Sequence, residues 1–320
     1  MFPEELTRDH KTVIVAVLNW GLGHACRSMP IIDALIQNKK KVIIASDGIA
    51  LEILADRYPK LKLETLPAYN VKYNSSKLTG IVFGNAFKVG KAILHEKLHA
   101  NRLVKKYNAD LVISDSRFGF RSKKCKSVII SHQLMMHARS AIMKLVMNVP
   151  NRLLLNAFDE VWVPDYQDRR LTGVLSKNKK IKNQTFIGPL STLKKSENPK
   201  DYDMVILLSG PEPARTRLEI SLVNAFKDSD KRVVLIRGTN EKPLTQIPSS
   251  WLRYDLANRS EVETALLSTE EVIGRSGYTS IMDYYTLGIS AQLIPTPGQS
   301  EQEYLAEYLN GKYGFRTDEA

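Results

Sequence analysis

The chain has 320 residues, 43% of them hydrophobic and 25% charged, a mix that excludes a disordered or fibrous protein at a length sufficient for two domains. Two cysteines, Cys26 and Cys125, exclude a disulfide framework and a four-cysteine zinc site. The formal charge of +12 is polarised, with 31 basic against 15 acidic side chains in residues 1–190 (net +16) and 15 against 19 in residues 191–320 (net −4), so the first part should favour an anionic partner.

The N-terminus, MFPEELTRDHK, is charged and lacks an apolar run, and no stretch reaches about 18 uninterrupted apolar residues. A soluble, cytoplasmic protein is the expectation. Val13–Leu18 (VIVAVL) is continuously apolar, as in a strand buried on both faces. A turn and a helix from about Ala25 to Gln37 should follow. Val42–Ala45 reads as a strand, Asp47–Arg57 as a helix and Leu61–Leu66 as a third strand. Residues 67–78 have no period and read as a loop, and a long helix is expected over Thr79–Lys106. Leu111–Ser114, Val128–Ser131 and Glu160–Val163 are further strands.

Gly188–Lys200 (GPLSTLKKSENPK) has linker composition, so 1–190, a linker at 191–200 and 201–320 are the expected divisions. Beyond it, strands are expected at Met204–Leu208, Val233–Arg237, Val272–Ile273 and Ala291–Ile294. Helices are expected at Ala214–Phe226, Glu261–Leu267, Tyr278–Leu287 and Glu301–Asn310. Alternating strands and helices predict two doubly wound α/β domains with parallel sheets and a cleft between them, ligands binding beyond the carboxyl ends of the strands.

Four strand-end loops carry the candidate chemistry. The first, Asn19–Arg27 (NWGLGHACR), has Gly21 and Gly23 to turn the backbone and a following helix to receive an anion, but Cys26 stands where a dinucleotide fingerprint needs its third glycine. The second, Leu208–Arg215, contains Ser209 and Gly210, and offers Arg215 as a phosphate clamp. The third runs from Val272 to Ser280, where the N–H groups of a glycine turn and helix start could hold a pyrophosphate without a metal. The fourth, Ile294–Glu303, places amides and carboxylates at a strand end, suited to sugar hydroxyls.

Other motifs are weaker. His95–His99 (HEKLH) matches a zinc-protease pattern, but no third ligand follows at the required spacing, and a solvent-facing helix is the simpler reading. Gly84–Ala92 resembles a phosphate-binding loop with one residue too many, inside an expected helix. The Asn-x-Ser/Thr triplets at Asn74, Asn183 and Asn258 carry no meaning in a cytoplasmic protein. Arg117–Lys126 and Leu134–Leu155 are basic with interleaved apolar residues, the pattern of an anionic-membrane surface. A core-facing helix with a solvated basic edge is favoured for Leu134–Val146. No nucleic-acid module is present.

Taken together, GLGHACR at 21–27, SGPEPAR at 209–215, GRSGYTSIMD at 274–283 and PTPGQSEQEYLA at 295–306 resemble the GT-B glycosyltransferases related to family 28, the group of the enzyme that adds N-acetylglucosamine to lipid-linked peptidoglycan precursors. SHQL at 131–134, FDEVWVPD at 158–165 and IGPLS at 187–191 look like first-domain landmarks of that group. The resemblance implies a nucleotide-sugar donor, UDP-linked, on the second domain and a glycan, lipid-linked or other anionic acceptor on the first, with a cell-envelope role, no metal and no cofactor. His24 matches a candidate base, with Asp115 as the reserve; Gly21, Gly23 and Arg27 form the acceptor or phosphate loop. Arg275, Ser276 and Gly277 match the diphosphate loop, Asp283 the ribose carboxylate, and Gln299, Gln302 and Glu303 the sugar end. Ser209, Gly210, Arg215, Arg237, Leu256 and Tyr278 complete the expected donor set. The first loop has fewer glycines than that group's, and relatives usually continue beyond the segment matching Ala320, which implies a shortened C-terminus.

The expected reaction is an inverting, metal-independent transfer to an acceptor hydroxyl at the cytoplasmic side of a membrane. Its rivals are a UDP-sugar hydrolase of the pseudaminic-acid type, which shares a G-x-G-H-x-x-R loop, and a non-catalytic nucleotide-sugar or lipid-binding protein.

Overall fold

The computed structural model describes residues 2–68, 78–137, 140–195 and 199–317. The chain forms two compact units, Met1–Leu190 and Ser191–Ala320.

The first unit holds seven strands: β1 (Thr12–Val17), β2 (Lys41–Ser46), β3 (Lys62–Thr65), β4 (Leu111–Asp115), β5 (Lys126–Ile130), β6 (Glu160–Val163) and β7 (Gln184–Phe186). Its helices are α1 (Leu22–Gln37), α2 (Gly48–Arg57), α3 (Leu78–Tyr107) and α4 (Ala141–Leu155). The strand order is β3-β2-β1-β4-β5-β6-β7, with every pairing parallel. Continuous apolar runs produce this arrangement, because a parallel strand is covered by helices on both faces. Thus Val13–Val17 and all of β4 are buried.

The register shows which helices share a face. Ile14 pairs with Ile43 and Val112, Ser114 with Ile129, and Ile129 with Val161. Ile14, Ile43 and Val112 pack with Ala100, Leu103 and Val104 of α3, and Ile129 and Val161 pack with Leu155 of α4. Since residues two apart on a strand face the same way, α3 and α4 cover one side of the sheet.

The second unit holds β8 (Tyr202–Leu207), β9 (Val233–Ile236), β10 (Leu252–Tyr254), β11 (Thr269–Arg275), β12 (Ser290–Ile294) and β13 (Phe315–Arg316), with α5 (Ala214–Phe226), α6 (Arg259–Leu267), α7 (Tyr278–Leu287) and α8 (Ser300–Leu309). The order β10-β9-β8-β11-β12-β13 is again all parallel. Met204, Ile206, Val233, Leu235 and Ile273 pack beneath Leu218, Leu222 and Val223 of α5.

Several boundaries depart from expectation. α1 begins at Leu22, three residues early, because Gly21 at φ 70 serves as its N-cap and brings the glycine loop into the helix. β11 begins at Thr269, since polar Thr269-Glu270-Glu271 still pairs with β8 and β12. The strands β7, β10 and β13 were not expected; each is two or three residues long and carries no apolar run. The expected linker is not slack at its start: Ser191 bonds Asp283, Thr192 bonds Arg259 and Leu193 is buried, so the second unit holds this segment. Most of the loop expected at 67–78 lies outside the described residues.

Candidate active site

In each sheet the strand order reverses direction at one point, between β1 and β4 in the first unit and between β8 and β11 in the second. Loops leaving the carboxyl ends of such strands diverge and leave room for a ligand.

At the first of these points, Val17 at the end of β1 pairs with Asp115 at the end of β4. The first turn of α1 faces Asp115. His24 Nδ1 lies 3.1 Å from Asp115 Oδ1, and Ser28 Oγ donates to Asp115 Oδ2 at 3.1 Å. Arg27 Nε donates to Asp115 Oδ2 at 2.9 Å, and its Nη2 also donates to the same carboxylate. Arg27 Nη2 reaches Ser116 Oγ at 2.9 Å. Ser116 itself sits in the left-handed region at φ 57, a conformation that turns its hydroxyl onto this cluster at some cost in strain.

The hydrogen count sets the histidine tautomer. Arg27 Nη2 also lies 3.0 Å from His24 Nδ1, but it carries two hydrogens, and Asp115 and Ser116 take both. An ionised carboxylate only accepts, so His24 Nδ1 donates to Asp115 and the Nε2 lone pair remains for chemistry. Arg27 Nη1 points at His132 Nδ1, 3.4 Å away, so His132 also belongs to the cluster.

Electrostatics follow from the same geometry. Burial, and after it the Arg27 charge, pushes the His24 pKa below the ordinary histidine value, against the raising effect of Asp115. Burial alone would raise Asp115; Arg27 and then His24 outweigh it and hold the carboxyl well below the usual range. The His24 side chain is 18% exposed and that of Asp115 0%. Asp115 is therefore sealed off from any acceptor and saturated with donors, which argues against the reserve-base role. Its position makes it the group that orients His24.

A second buried cluster lies behind the first. Arg117 Nε donates to Glu96 Oε1 at 2.5 Å, its Nη1 to Asp47 Oδ1 at 2.6 Å and its Nη2 to the Pro67 carbonyl at 2.8 Å. Gly119 N–H donates to the other Glu96 oxygen at 3.1 Å. This accounts for the HEKLH sequence. Glu96 is a buried counter-ion, His99 Nδ1 donates to the His95 carbonyl, and no group of metal-ligating side chains forms among the described residues. The stretch 84–92 lies inside α3.

In the second unit, the third loop sits at the reversal point. Leu207 pairs with Gly274, where an added Cβ would meet Leu207 O at 3.2 Å and Tyr284 Oη at 2.7 Å, so only glycine permits this approach. Arg275 is buried and pairs with no carboxylate among the described residues; its Nη1 donates to Pro295 O at 2.8 Å and its Nη2 to Ala214 O at 2.7 Å. It thereby ties together the loops after β8, β11 and β12, while its buried Nε has no partner. Burial lowers its pKa. Gly277 caps α7 without a side chain, and a Cβ there would meet nothing within 4 Å, so the positive end of α7 is open to an anion. Ser276 Oγ donates to Gln302 O at 2.9 Å, Thr296 N–H to Gln302 Oε1 at 2.9 Å and Gly298 N–H to Glu303 Oε1 at 2.9 Å; Gln302 Nε2 donates to Gln299 Oε1 at 2.7 Å. The fourth loop is thus bonded to itself and to the third.

Other expected donor residues are engaged elsewhere. Arg215 forks onto Glu212 and Glu219, and Arg237 onto Glu219 and Asp255, so the proposed phosphate clamp is a structural cation in a buried network. Leu256 is exposed and Tyr278 is buried. Ser209 and Gly210 lie in the β8 loop, with the Gly210 Cα facing Thr296 Oγ1. Asp283 accepts from Arg259 Nη1 at 3.0 Å and Nη2 at 3.2 Å and from Ser191 Oγ. Arg259, Ser28 and His132 were not anticipated as site residues; their partners lie 24 to 105 residues away, and only His132 falls in a motif, the SHQL landmark at 131–134, which does not mark its tie to Arg27.

The model of glycosyl transferase family 1 matches residues 11–320. No curated protein matches the chain. Among solved structures, the glycotransferase of kitacinnamycin superposes with a TM-score of 0.67 at 13% identity, covering 97% of this chain and 86% of that one. SnogD, a glycosyltransferase from Streptomyces nogalater, gives 0.65 at 14% identity, covering 97% and 87%. The spinosyn rhamnosyltransferase SpnG, complexed with thymidine diphosphate, gives 0.64 at 14%, covering 96% and 86%. At such identities the likeness carries the fold alone: two doubly wound α/β units of the GT-B type.

Proposed function

The chain belongs to glycosyl transferase family 1, and from that premise we propose that it moves a sugar from a nucleoside diphosphate sugar, UDP-linked, to an acceptor hydroxyl with inversion and without a metal or other cofactor. The observation that carries this reading is the His24–Asp115 pair at the reversal point of the first sheet, with its proton fixed on Nδ1. His24 Nε2 takes the proton of the acceptor hydroxyl as the oxygen attacks the anomeric carbon. Asp115 holds the ring and stabilises the imidazolium that forms. The leaving diphosphate carries the departing charge, and the open N-terminus of α7 with its glycine loop supplies partial positive charge to meet it. Gln299, Gln302 and Glu303 stand at the sugar end. The motifs at 274–283 and 295–306, which resemble the family 28 group, support the UDP assignment and an anionic or lipid-linked glycan acceptor. The structural neighbour complexed with thymidine diphosphate makes dTDP the competing nucleotide.

A thermal-shift screen against UDP, GDP, CMP and dTDP sugars, followed by turnover with the stabilising donor, tests this. UDP should give the largest shift, and His24→Ala should keep donor binding and lose about 10²–10⁴-fold in turnover. Equal turnover by His24→Ala and wild type would remove the base assignment. Stoichiometric free sugar without an acceptor would move the reading to a hydrolase.

A further inference from the structure

We propose that the outer face of the α3–α4 layer docks on an anionic lipid surface, α4 being the main contact. The helix α4 exposes Ile142 (76%), Leu145 (65%), Val149 (37%) and Leu153 (62%). Their spacing of three, four and four residues draws one stripe along the helix. Its opposite side is spent on the core, where Asn151 and Leu155 are buried and Leu155 packs on Ile129 and Val161. Adjacent on the same side of the sheet, α3 exposes Leu94 and Leu98, each 57%. Large aliphatic side chains exposed in register on one layer are not the scattered singles of an ordinary surface.

Charge names the occupant. No Asp or Glu occurs between Asp115 and Asp159, while Arg117, Arg121, Lys123, Lys124, Lys126, Arg139, Lys144 and Arg152 do. The helical spacing sets Arg152 beside the stripe, Lys144 is exposed near the start of α4, and the first unit as a whole carries a net of +16. Apolar side chains flanked by cations, with no anion to repel a headgroup, match a bilayer rich in acidic lipid. A purely polyanionic partner would leave the stripe unexplained, and a second copy would bring +16 against +16. The helix α4 follows the His132 loop, so a lipid-borne substrate held at this face would lie near the first unit's site. Docking itself is independent of the transferase reading.

Flotation of the full chain with vesicles of phosphatidylcholine alone and with about one third phosphatidylglycerol tests the proposal at about 0.1 M salt. Wild type should float with the acidic vesicles at least tenfold better than with the neutral ones. The double variant Leu145→Glu/Leu153→Glu should lose that binding at least tenfold with unchanged circular dichroism, and Lys144→Glu/Arg152→Glu should weaken it most at low salt, the difference from wild type shrinking as salt rises. No binding by the wild type, equal binding to both vesicles, or full binding by a folded double variant would overturn it. A wild-type dimer that the same variant converts to monomer would also overturn it, assigning the face to a second copy.

Discussion

The buried Arg27–Asp115–His24 cluster converts proton affinity into both rate and stability. Burial and Arg27 set the His24 pKa below its ordinary value of about 6.5, so the ring is neutral at pH 7 and able to act as a base. The acid limb of kcat/KM should therefore fall below about pH 6.5. Arg27→Gln removes a neighbouring cation, which should move that limb to higher pH; an unmoved limb in a pH–rate profile would separate Arg27 from His24. Stability changes in the same direction with pH. A histidine with a lowered folded pKa contributes nothing above its unfolded value and destabilises progressively as pH falls from that value towards its folded one, below which the penalty is constant. A carboxylate held low, as Asp115 is, contributes fully above about pH 3.9 and loses that contribution as pH falls below it. Melting temperature should thus decline in two stages on acidification, beginning near pH 6.5. Asp115→Asn should abolish the second stage and cost about 3–5 kcal/mol at neutral pH, because Arg27 is left buried without its anion. His24 and Arg27 were legible in the sequence because glycines and a strand end mark their loop. Their tie to Asp115, 91 and 88 residues on, was legible only as two strand ends, and nothing local marked its direction or its burial.

Strands with continuous apolar runs could be read directly, because β1, β4 and β9 are buried on both faces and their composition says so. The edge strands β7, β10 and β13 have no such constraint and could not. Charged side chains misled for a related reason: Glu96 looked like part of a metal motif on a solvated helix, whereas Arg117 draws it into the core from 21 residues away. Glu96→Ala should then destabilise the first unit by about 3–5 kcal/mol, seen as a lower denaturant midpoint and not altered by added zinc. A similar lesson holds for α6. Asn258 scanned as an Asn-x-Ser triplet, but it closes a capping box: its side chain accepts from Glu261 N–H at 3.0 Å, and the Glu261 carboxylate accepts from Asn258 N–H at 2.7 Å. That cap starts the helix at Arg259 and aims its guanidinium at Asp283. Asn258→Ala should cost about 1 kcal/mol of stability. It should also weaken donor binding if Asp283 serves the ribose, a coupling that Asn258→Asp, which preserves the cap, would not show.

Two units, each with its own parallel sheet and core, imply that a ligand reports on the unit that holds it. The charge along the chain fits the proposed division of labour, +16 where an anionic acceptor or surface is expected and −4 where, on that proposal, a helix terminus and backbone amides rather than lysines would hold a diphosphate. A nucleotide that binds only the folded second unit stabilises it by about 2.7 kcal/mol at a hundred times its dissociation constant. Hydrogen exchange resolves where that energy appears. With saturating UDP, amides of β8, β11 and α7 should slow by up to about a hundredfold, the factor that free energy represents, while amides of β1 and β4 keep their rates. His24→Ala should leave the pattern intact, since it lies in the other unit. Gly277→Val should erase it, because a branched side chain at the α7 N-cap fills the space a phosphate needs, while the fold tolerates a Cβ that meets nothing within 4 Å. Protection appearing in β1 and β4 instead would place the nucleotide on the first unit and reverse the division.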